Sequence, residues 1–231
     1  MASRNKLQKF AENLTFSNVF ENFDPKNNIL VGENGVETDF SDGWNNFYFK
    51  NVNPLILELA CGRGEYSLAL AEQNPDKNYI GVDIKGARIW KGASMALNFG
   101  LTNIAFLRTK IENIESFFRP YEIDELWITF PDPFLKKSKS NRRLTSSKFL
   151  KRYRNILKDQ GIIHLKTDSP ELYEFSLDTL KSEDDVIIYY NNDDIYSGDL
   201  AFPELNIKTY YEKQHLSAGR TIKYIKFGFT F

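Results

Sequence analysis

Short apolar runs alternate with longer amphipathic stretches along the chain from Pro54 onward. Apolar runs bounded by turn residues are typical of buried strands, and apolar residues at helical spacing are typical of helices that pack on a sheet. The alternation predicts β-α-β units on a mainly parallel sheet. The predicted strands are Leu55–Leu59, Tyr79–Val82, Ile104–Leu107, Leu126–Phe130, Ile162–Lys166 and Val186–Tyr190. The predicted helices are Glu65–Glu72, Ala87–Asn98, Ser146–Leu157 and Pro170–Leu180, with a shorter one at Ile114–Phe118.

The two ends of the chain depart from this pattern. Residues Ile222–Phe229 alternate in character, which predicts an antiparallel strand at the edge of the sheet. Residues 1–22 are polar and mildly basic with a weak helical period, and the Gly/Asn/Asp-rich stretch that follows them, to Gly43, is predicted to be irregular. We therefore predict an α/β fold with a mainly parallel seven-stranded sheet in a domain 44–231, preceded by an N-terminal arm and irregular segment 1–43.

The arm is predicted to be a disordered tail. The alternative is that its basic residues, Arg4, Lys6 and Lys9, add contacts to a partner when that partner binds.

The composition limits the classes of protein that the chain can belong to. A single cysteine, Cys61, and two histidines, His164 and His215, are too few for a disulfide framework or a classical zinc cluster. The chain contains no run of eighteen apolar residues and no signal-peptide pattern. We therefore expect a cytoplasmic protein that uses no metal, binds no membrane and needs no obligate protein partner, as a monomer or a homodimer.

The net charge of −1 hides a strong local asymmetry. The segment from Pro133 to Lys158 holds ten basic residues and no Asp or Glu, so the rest of the chain carries −1 − 10 = −11. A local basic face is what the phosphate backbone of a nucleic acid responds to. A solvated run of charges is the alternative interpretation.

An acid and two glycines follow one another where the first predicted strand ends, in the order Glu58, Gly62, Gly64. Glycines at such a turn let the backbone approach a ligand, but a dinucleotide-binding turn would have a third glycine where this chain has Ser67. S-adenosylmethionine has no pyrophosphate; its ammonium group suits Glu58, and its ribose hydroxyls suit Asp83 at the end of the second strand. Asp83 alone would also fit NAD or cap a helix, so the combination is what favours S-adenosylmethionine.

Asp132 directly follows the fourth predicted strand, between Pro131 and Pro133. Ligands of open α/β sheets bind outside the carboxyl ends of the strands, and the two prolines restrict the backbone on both sides of the acid. We therefore predict that the Asp132 carboxylate faces the reacting methyl group. A simple turn aspartate is the alternative.

The segment that begins at Asp132 resembles a family signature. It reads DPFLKKSKSNRRLT and is similar to the pattern D-P-W-P-K-K-x-H-x-K-R-R-L of the bacterial tRNA (guanine-N7)-methyltransferases. Further matches to that family, in chain order, are Asn74-Pro75-Asp76, Tyr79–Asp83, Phe149-Leu150, Ile163–Asp168 and Thr209–Glu212. The resemblance extends from about Trp44 to the C-terminus.

The resemblance implies a Rossmann-like class I methyltransferase fold. It also implies methyl transfer from S-adenosylmethionine to N7 of a variable-loop guanine, guanine 46, in tRNA. The implied donor site comprises Glu58, Gly62, Gly64, Asp83 and the catalytic Asp132. The implied contacts to the target nucleotide are Lys136, Asp168, Thr209, Tyr210, Tyr211 and Glu212. The implied RNA-contacting loop comprises Ser138, Lys139, Ser140, Asn141, Arg142 and Arg143.

Three positions depart from the family pattern. Lys110 stands where the family usually has an acid near the adenosine, although Glu112 could take that role in the donor site. Lys139 replaces the histidine of the basic loop, and Phe134 replaces the tryptophan after Asp-Pro.

Three other functions compete with this interpretation. A dehydrogenase is disfavoured by the missing third glycine, and a small-molecule or protein methyltransferase by the basic run. A non-catalytic RNA-binding module with a degenerate donor site is favoured only by Lys110.

Overall fold

The computed structural model describes residues 5–27 and 29–230 of the 231-residue chain. In this part of the chain ten strands form one sheet, with the bounds β1 Val19–Glu21, β2 Ile29–Val31, β3 Glu37–Asp39, β4 Leu55–Leu59, β5 Asn78–Asp83, β6 Ile104–Arg108, β7 Ile123–Thr129, β8 Leu157–Thr167, β9 Val186–Asn192 and β10 Lys223–Phe229. The same residues form six α-helices, α1 Lys6–Asn13, α2 Glu65–Gln73, α3 Gly86–Asn98, α4 Ser147–Ile156, α5 Pro170–Lys181 and α6 Tyr210–Ser217. None of these helices is both long and apolar enough to cross a bilayer.

The order of the strands confirms the predicted α/β fold with a mainly parallel sheet. In space the order is β3-β2-β1-β6-β5-β4-β7-β8-β10-β9, and β6, β5, β4, β7 and β8 are parallel to one another. The C-terminal strand β10 is antiparallel, as predicted, but it lies between β8 and β9 and is not an edge strand. The edge position was wrong because β9 alternates between half-buried and exposed residues, whereas β10 is buried along most of its length.

The N-terminal segment adds three short strands to the seven that were predicted. β1 pairs in parallel with β6, with Val19 opposite Phe106, and β2 and β3 extend the sheet beyond β1. The prediction that the stretch up to Gly43 is irregular was therefore wrong for β2 and β3. The separate division of the chain at residue 43 stays a prediction.

The arm that precedes β1 packs against the rest of the fold. Helix α1 contacts α3, and Asn13 Nδ2 donates a hydrogen bond to the carbonyl of Gly86. Lys9 lies with its Nζ 5.0 Å from the centre of the Trp90 ring. These contacts contradict a disordered tail for residues 6–13, whereas Arg4 lies outside the described residues.

Alternation along β4 determines where its acidic residue points. Leu55, Leu57 and Leu59 pack into the core on one face of the sheet, and Ile56 packs into the core on the other. Because successive strand residues point to opposite faces, Glu58 shares the face of Ile56. That face is covered by α2, which begins six residues after β4 ends.

Gly64, which precedes α2, must be glycine for two independent reasons. We therefore expect Gly64→Ala to destabilise the protein. Gly64 has a φ of +63°, and a Cβ there would lie 2.5 Å from the buried Phe106 ring. The left-handed backbone costs an alanine about 1–2 kcal/mol, and overpacking adds about 1–3 kcal/mol. Gly100→Ala is the matched control, because Gly100 has a φ of +67° and a Cβ there would meet no atom within 4 Å. Urea unfolding measures both variants; equal losses would show that Phe106 can move aside.

Candidate active site

The carboxyl ends of the parallel strands open onto a cleft of about 1100 Å³. Predicted site residues that line this cleft are Asp83, Lys110, Glu112, Asp132, Arg142, Asp168 and Tyr211. A smaller cavity of about 70 Å³ shares Ala60, Arg88, Phe130 and Tyr211 with it and is lined by the predicted residues Glu58, Gly62 and Thr209. The fold therefore brings most residues of the predicted donor site and part of the predicted target site to one edge of the sheet.

Glu58 is a buried carboxyl group that two neighbouring elements hold in place. Its Oε2 accepts hydrogen bonds from the backbone amide of Ser67, at 3.1 Å, and from the Ser67 hydroxyl, while its Oε1 accepts one from Thr129 Oγ1 at 2.6 Å. Burial raises the pKa of Glu58 to about 7, although these hydrogen bonds act to lower it. Ser67, which stands where a dinucleotide-binding turn would have its third glycine, therefore has a structural role, because it orients the Glu58 carboxyl group.

Asp83 connects the end of β5 to the glycine turn after β4. Its Oδ2 accepts a hydrogen bond from the amide of Gly62 at 2.9 Å, and its Oδ1 accepts one from the amide of Lys85 at 2.8 Å. Gly62 itself has a φ of +59°, and a Cβ there would have only two neighbouring atoms, at 3.9–4.0 Å, so the turn is open on that side. The carboxylate is fixed in orientation, and each oxygen keeps a lone pair for another donor.

Asp132 is exposed and lines the cleft. Its Oδ1 accepts a hydrogen bond from the amide of Phe134 at 3.0 Å, which closes a turn through Pro133. Phe130 and Phe134, on either side of this turn, have left-handed backbones with φ of 49° and 41°. Such conformations persist in non-glycine residues only where the surroundings hold them, so the loop that carries Asp132 has a defined shape.

Asp168, directly after β8, makes an ion pair with Arg220 and a contact with His215 that the sequence did not reveal. Its Oδ2 lies 2.5 Å from Nη1 of Arg220 and 3.4 Å from Nδ1 of His215. The His215 ring stacks on Phe130 with ring centres 5.8 Å apart. The cleft is lined by Phe130, His215 and Arg220. No sequence motif predicts that these residues meet, because they come from two loops and from α6.

The segment Thr209–Glu212 forms the first turn of α6, a helix that we did not predict. Thr209 caps this helix by accepting a hydrogen bond from the amide of Glu212 at 3.2 Å. A Thr followed three residues later by Glu is the spacing of a capping box, which is the signal that could have predicted the helix. Tyr210 and Tyr211 are exposed, and only Tyr211 lines the main cleft.

Glu212 is turned into the protein and not toward the cleft. It is fully buried, and its Oε1 lies 2.8 Å from Lys166 Nζ and accepts a hydrogen bond from the Tyr196 hydroxyl at 2.6 Å. Burial lowers the pKa of Lys166, an effect that the Glu212 carboxylate opposes. This ion pair connects α6 to β8. Glu212 therefore has a structural role that does not involve a target nucleotide.

Comparison with known proteins identifies the family. A protein-family profile described as a putative methyltransferase matches residues 52–225. The tRNA (guanine-N(7)-)-methyltransferase of Christiangramia forsetii is 47% identical over 228 residues, which are 98% of this chain and 99% of that protein. The protein of the same name from Bacteroides fragilis is 46% identical over 224 residues, or 97% of this chain and 85% of that protein. The chain belongs to the tRNA (guanine-N7)-methyltransferase family.

Solved structures share the fold at low sequence identity. The 16S rRNA methyltransferase KamB superposes with a TM-score of 0.61 at 14% identity, covering 84% of this chain and 96% of that chain. A 16S rRNA (adenine(1408)-N(1))-methyltransferase from Catenulisporales acidiphilia, solved with its cosubstrate SAM, gives a TM-score of 0.60 at 15% identity and covers 88% and 96%. These likenesses confirm the Rossmann-like class I methyltransferase fold.

Apart from Arg143, the basic residues of the run that carries the family signature separate into two sets, one exposed and one paired with acids. Lys136, Lys137, Lys139, Arg142, Lys148 and Lys151 are exposed. Arg152 pairs with Glu115, Arg154 pairs with Glu183 and Asp185, and Lys158 pairs with Asp124. The acids that pair with the second set come from distant parts of the chain, which is why the run looked uniformly basic in sequence.

The predicted RNA-contacting loop forms a 3₁₀ turn, Lys137–Arg142, followed by a buried arginine. Ser138, Lys139, Asn141 and Arg142 are exposed, and Ser140 is half-buried. Arg143 is only 7% exposed, so its side chain does not reach the surface that its neighbours present. Its predicted RNA contact has no support from this geometry.

Lys110, one of the three positions that depart from the family pattern, lines the cleft. Lys110 precedes a 3₁₀ turn, Ile111–Phe117, and both Lys110 and Glu112 are exposed at the donor end of the cleft. A donor contact from Lys110 or Glu112 stays a prediction. In the described part of the chain no group of three or more His, Cys, Asp or Glu side chains is arranged to hold a metal ion.

Proposed function

We propose that this protein transfers a methyl group from S-adenosylmethionine to N7 of a guanine in tRNA, and that the target is the variable-loop guanine 46. Family membership supports the reaction and the substrate class. The structural observation that carries the proposal is the position of Asp132 and Asp168 in one cleft, beside a turn with exposed basic side chains. S-adenosylhomocysteine is the expected product, and no metal is expected to take part.

The reaction makes modest chemical demands, and the residues of the cleft meet them. Guanine N7 carries an in-plane lone pair and no proton, so its methylation needs no general base. The protein must align the base and offset the positive charge that develops on it, which is catalysis by orientation and electrostatic preorganisation. Asp132 and Asp168 supply negative charge, and either carboxylate can accept hydrogen bonds from the N1–H and N2–H edge of the guanine.

The donor end of the cleft fits S-adenosylmethionine. The buried Glu58 carboxyl suits an ammonium group, and the fixed Asp83 carboxylate has lone pairs for two ribose hydroxyls. The open turn at Gly62 lets the backbone come close to the donor. When bound, S-adenosylmethionine supplies an electrophilic methyl group.

Methylation of unmodified tRNA transcripts tests the proposal. The purified protein is incubated with S-adenosylmethionine and transcripts, and the digested RNA is analysed for methylated nucleosides by mass spectrometry. N7-methylguanosine that disappears when guanine 46 is changed supports both the reaction and the position. N7-methylguanosine that persists overturns the position alone, and tight tRNA binding without methyl transfer favours a non-catalytic RNA-binding module.

The pKa of Glu58 predicts a pH-dependent donor affinity. An ammonium group binds the charged carboxylate, so affinity should rise with pH through about 7. With that pKa the ionised fraction of Glu58, and hence the affinity, increases about fivefold between pH 6 and pH 7, a range in which the ammonium group of the donor stays protonated. Isothermal titration calorimetry measures this, and proton release on binding should appear below pH 7. The Glu58→Gln variant should bind more weakly without the pH trend; a flat profile in the unmodified protein would contradict the contact.

The same pKa has an opposite consequence for the stability of the donor-free protein. Because the folded protein raises the pKa of Glu58 above its ordinary value of 4.5, the stabilising contribution is complete below that value. It is lost as the pH rises through about 7. Glu58→Gln, which stays neutral, should therefore melt higher than the unmodified protein at pH 8 and no higher at pH 5.

A further inference from the structure

Two adjacent arginines of the signature segment differ completely in their surroundings. Arg142 is exposed and lies with its guanidinium carbon 5.3 Å from the centre of the Phe134 ring. Arg143 is more than nine-tenths buried, and its guanidinium carbon lies 4.4 Å from the centre of the Phe175 ring on α5. A guanidinium removed from water in this way needs hydrogen-bond acceptors from the protein.

The acceptors of Arg143 belong to the loop that carries Asp132. Arg143 Nε donates to the carbonyl of Pro133 at 2.9 Å, and Arg143 Nη2 donates to the carbonyl of Phe134 at 3.2 Å. The planar fork of a guanidinium presents two donors in a fixed geometry to two successive carbonyls, whereas the ammonium of a lysine is a compact charge on a flexible stem. Phe134 is also the residue whose amide donates to Asp132 Oδ1 and whose φ is 41°. Arg143 thus holds the strained residue that holds Asp132.

We propose that Arg143 is a positioning residue that fixes the Asp132 loop in its reactive shape, and that it is not an RNA contact. The inference rests on the proposed methyl transfer, because Asp132 is the residue through which Arg143 acts. The backbone of Arg143 also connects this loop to the basic turn, since the amide of Arg143 donates to the carbonyl of Ser140 at 3.0 Å. RNA that docks on the turn 137–142 is therefore one residue away from the group that orders the catalytic loop.

Arg143→Gln and Arg142→Gln remove the same charge from adjacent positions and separate the two roles. Arg143→Gln should lower kcat by about 10- to 100-fold, because small misplacement of a reacting group has effects of that size. It should leave the donor affinity, the tRNA affinity and the salt dependence of tRNA binding within about twofold. Arg142→Gln should weaken tRNA binding and flatten its salt dependence.

A conservative replacement and a second measurement distinguish a specific effect on the Asp132 loop from general misfolding. Arg143→Lys keeps the charge but replaces the rigid fork by a flexible stem, so its kcat should fall several-fold; an unchanged kcat in this variant overturns the proposal. In Arg143→Gln, hydrogen exchange should accelerate at least about tenfold in peptides spanning 131–137 and stay unchanged in peptides of β4 and β5. This measurement needs no substrate, so it reports on the loop even if the unmodified protein fails to methylate tRNA.

Two further results would overturn the inference. If Arg143→Gln flattens the salt dependence as much as Arg142→Gln and keeps its kcat, Arg143 is an RNA contact. If exchange accelerates throughout the protein and donor affinity falls as well, Arg143 stabilises the whole fold and has no specific effect on Asp132.

Discussion

Replacement of Asp132 by alanine is expected to lower kcat for tRNA methylation by at least about 100-fold, the usual size of effect when a preorganised group at the reacting centre is lost. Asp132 is exposed in the cleft between the donor end, at Asp83, and the predicted target end, at Asp168. Asp132 is an acid and not one of the basic side chains expected to contact phosphates, so tRNA affinity should change by no more than a few-fold. Single-turnover methylation at saturating tRNA and filter binding measure the two quantities separately.

Asp132→Asn separates the charge of Asp132 from its role in the turn. The asparagine Oδ1 can still accept the hydrogen bond from the Phe134 amide, so the loop keeps its shape while the negative charge is lost. If the charge offsets the developing cation, Asp132→Asn should be nearly as slow as Asp132→Ala. Recovery in the asparagine variant would show that Asp132 matters only for the turn, and unimpaired turnover of the alanine variant would remove Asp132 from the mechanism.

The central strands and the position of the cleft could be predicted from the sequence for a physical reason. Parallel strands are buried on both faces, so they read as continuous apolar runs, and the prediction of β4 at Leu55–Leu59 agrees with the structure at both ends. Once the strands are parallel, the residues that follow them must meet at one edge. Asp83, Asp132 and Asp168 are therefore neighbours of the same cleft although they are far apart in sequence.

The parts of the fold that escaped prediction depend on partners that are distant in sequence. β2 and β3 have three residues each and extend the sheet from β1, which itself pairs with the distant β6, so no local pattern reveals them. Glu212 carries a charge that normally predicts exposure, yet Lys166 and Tyr196 pair with it inside the protein. A basic residue in a run looks the same whether it faces solvent, an acid or a backbone carbonyl, so the signature motif could not separate Arg142 from Arg143.

Removal of two exposed charges, Lys139→Gln with Arg142→Gln, is expected to weaken tRNA binding by about 10- to 100-fold at low salt. Both side chains belong to the exposed set of the basic segment, on the 3₁₀ turn next to the cleft. Each phosphate contact contributes about 0.7 to 0.9 to the slope of log K against log salt, so the slope should become shallower by about 1.4 to 1.8. Filter binding over a series of salt concentrations measures the slope directly.

The matched control removes two charges from the paired set of the same segment. Arg152→Gln with Lys158→Gln gives the same change in net charge, but both side chains already neutralise acids, Glu115 and Asp124. Because the two basic side chains are already paired with acids, we expect this variant to bind tRNA almost normally. It should lose a little stability, since the acids lose their partners and ion pairs at partly exposed positions contribute about 0–1 kcal/mol. If both double variants flatten the salt slope equally, tRNA responds to the total charge of the segment and not to the exposed turn. A reduced slope in the Lys139/Arg142 variant alone would place the phosphates against that turn, beside the cleft that Asp132 lines.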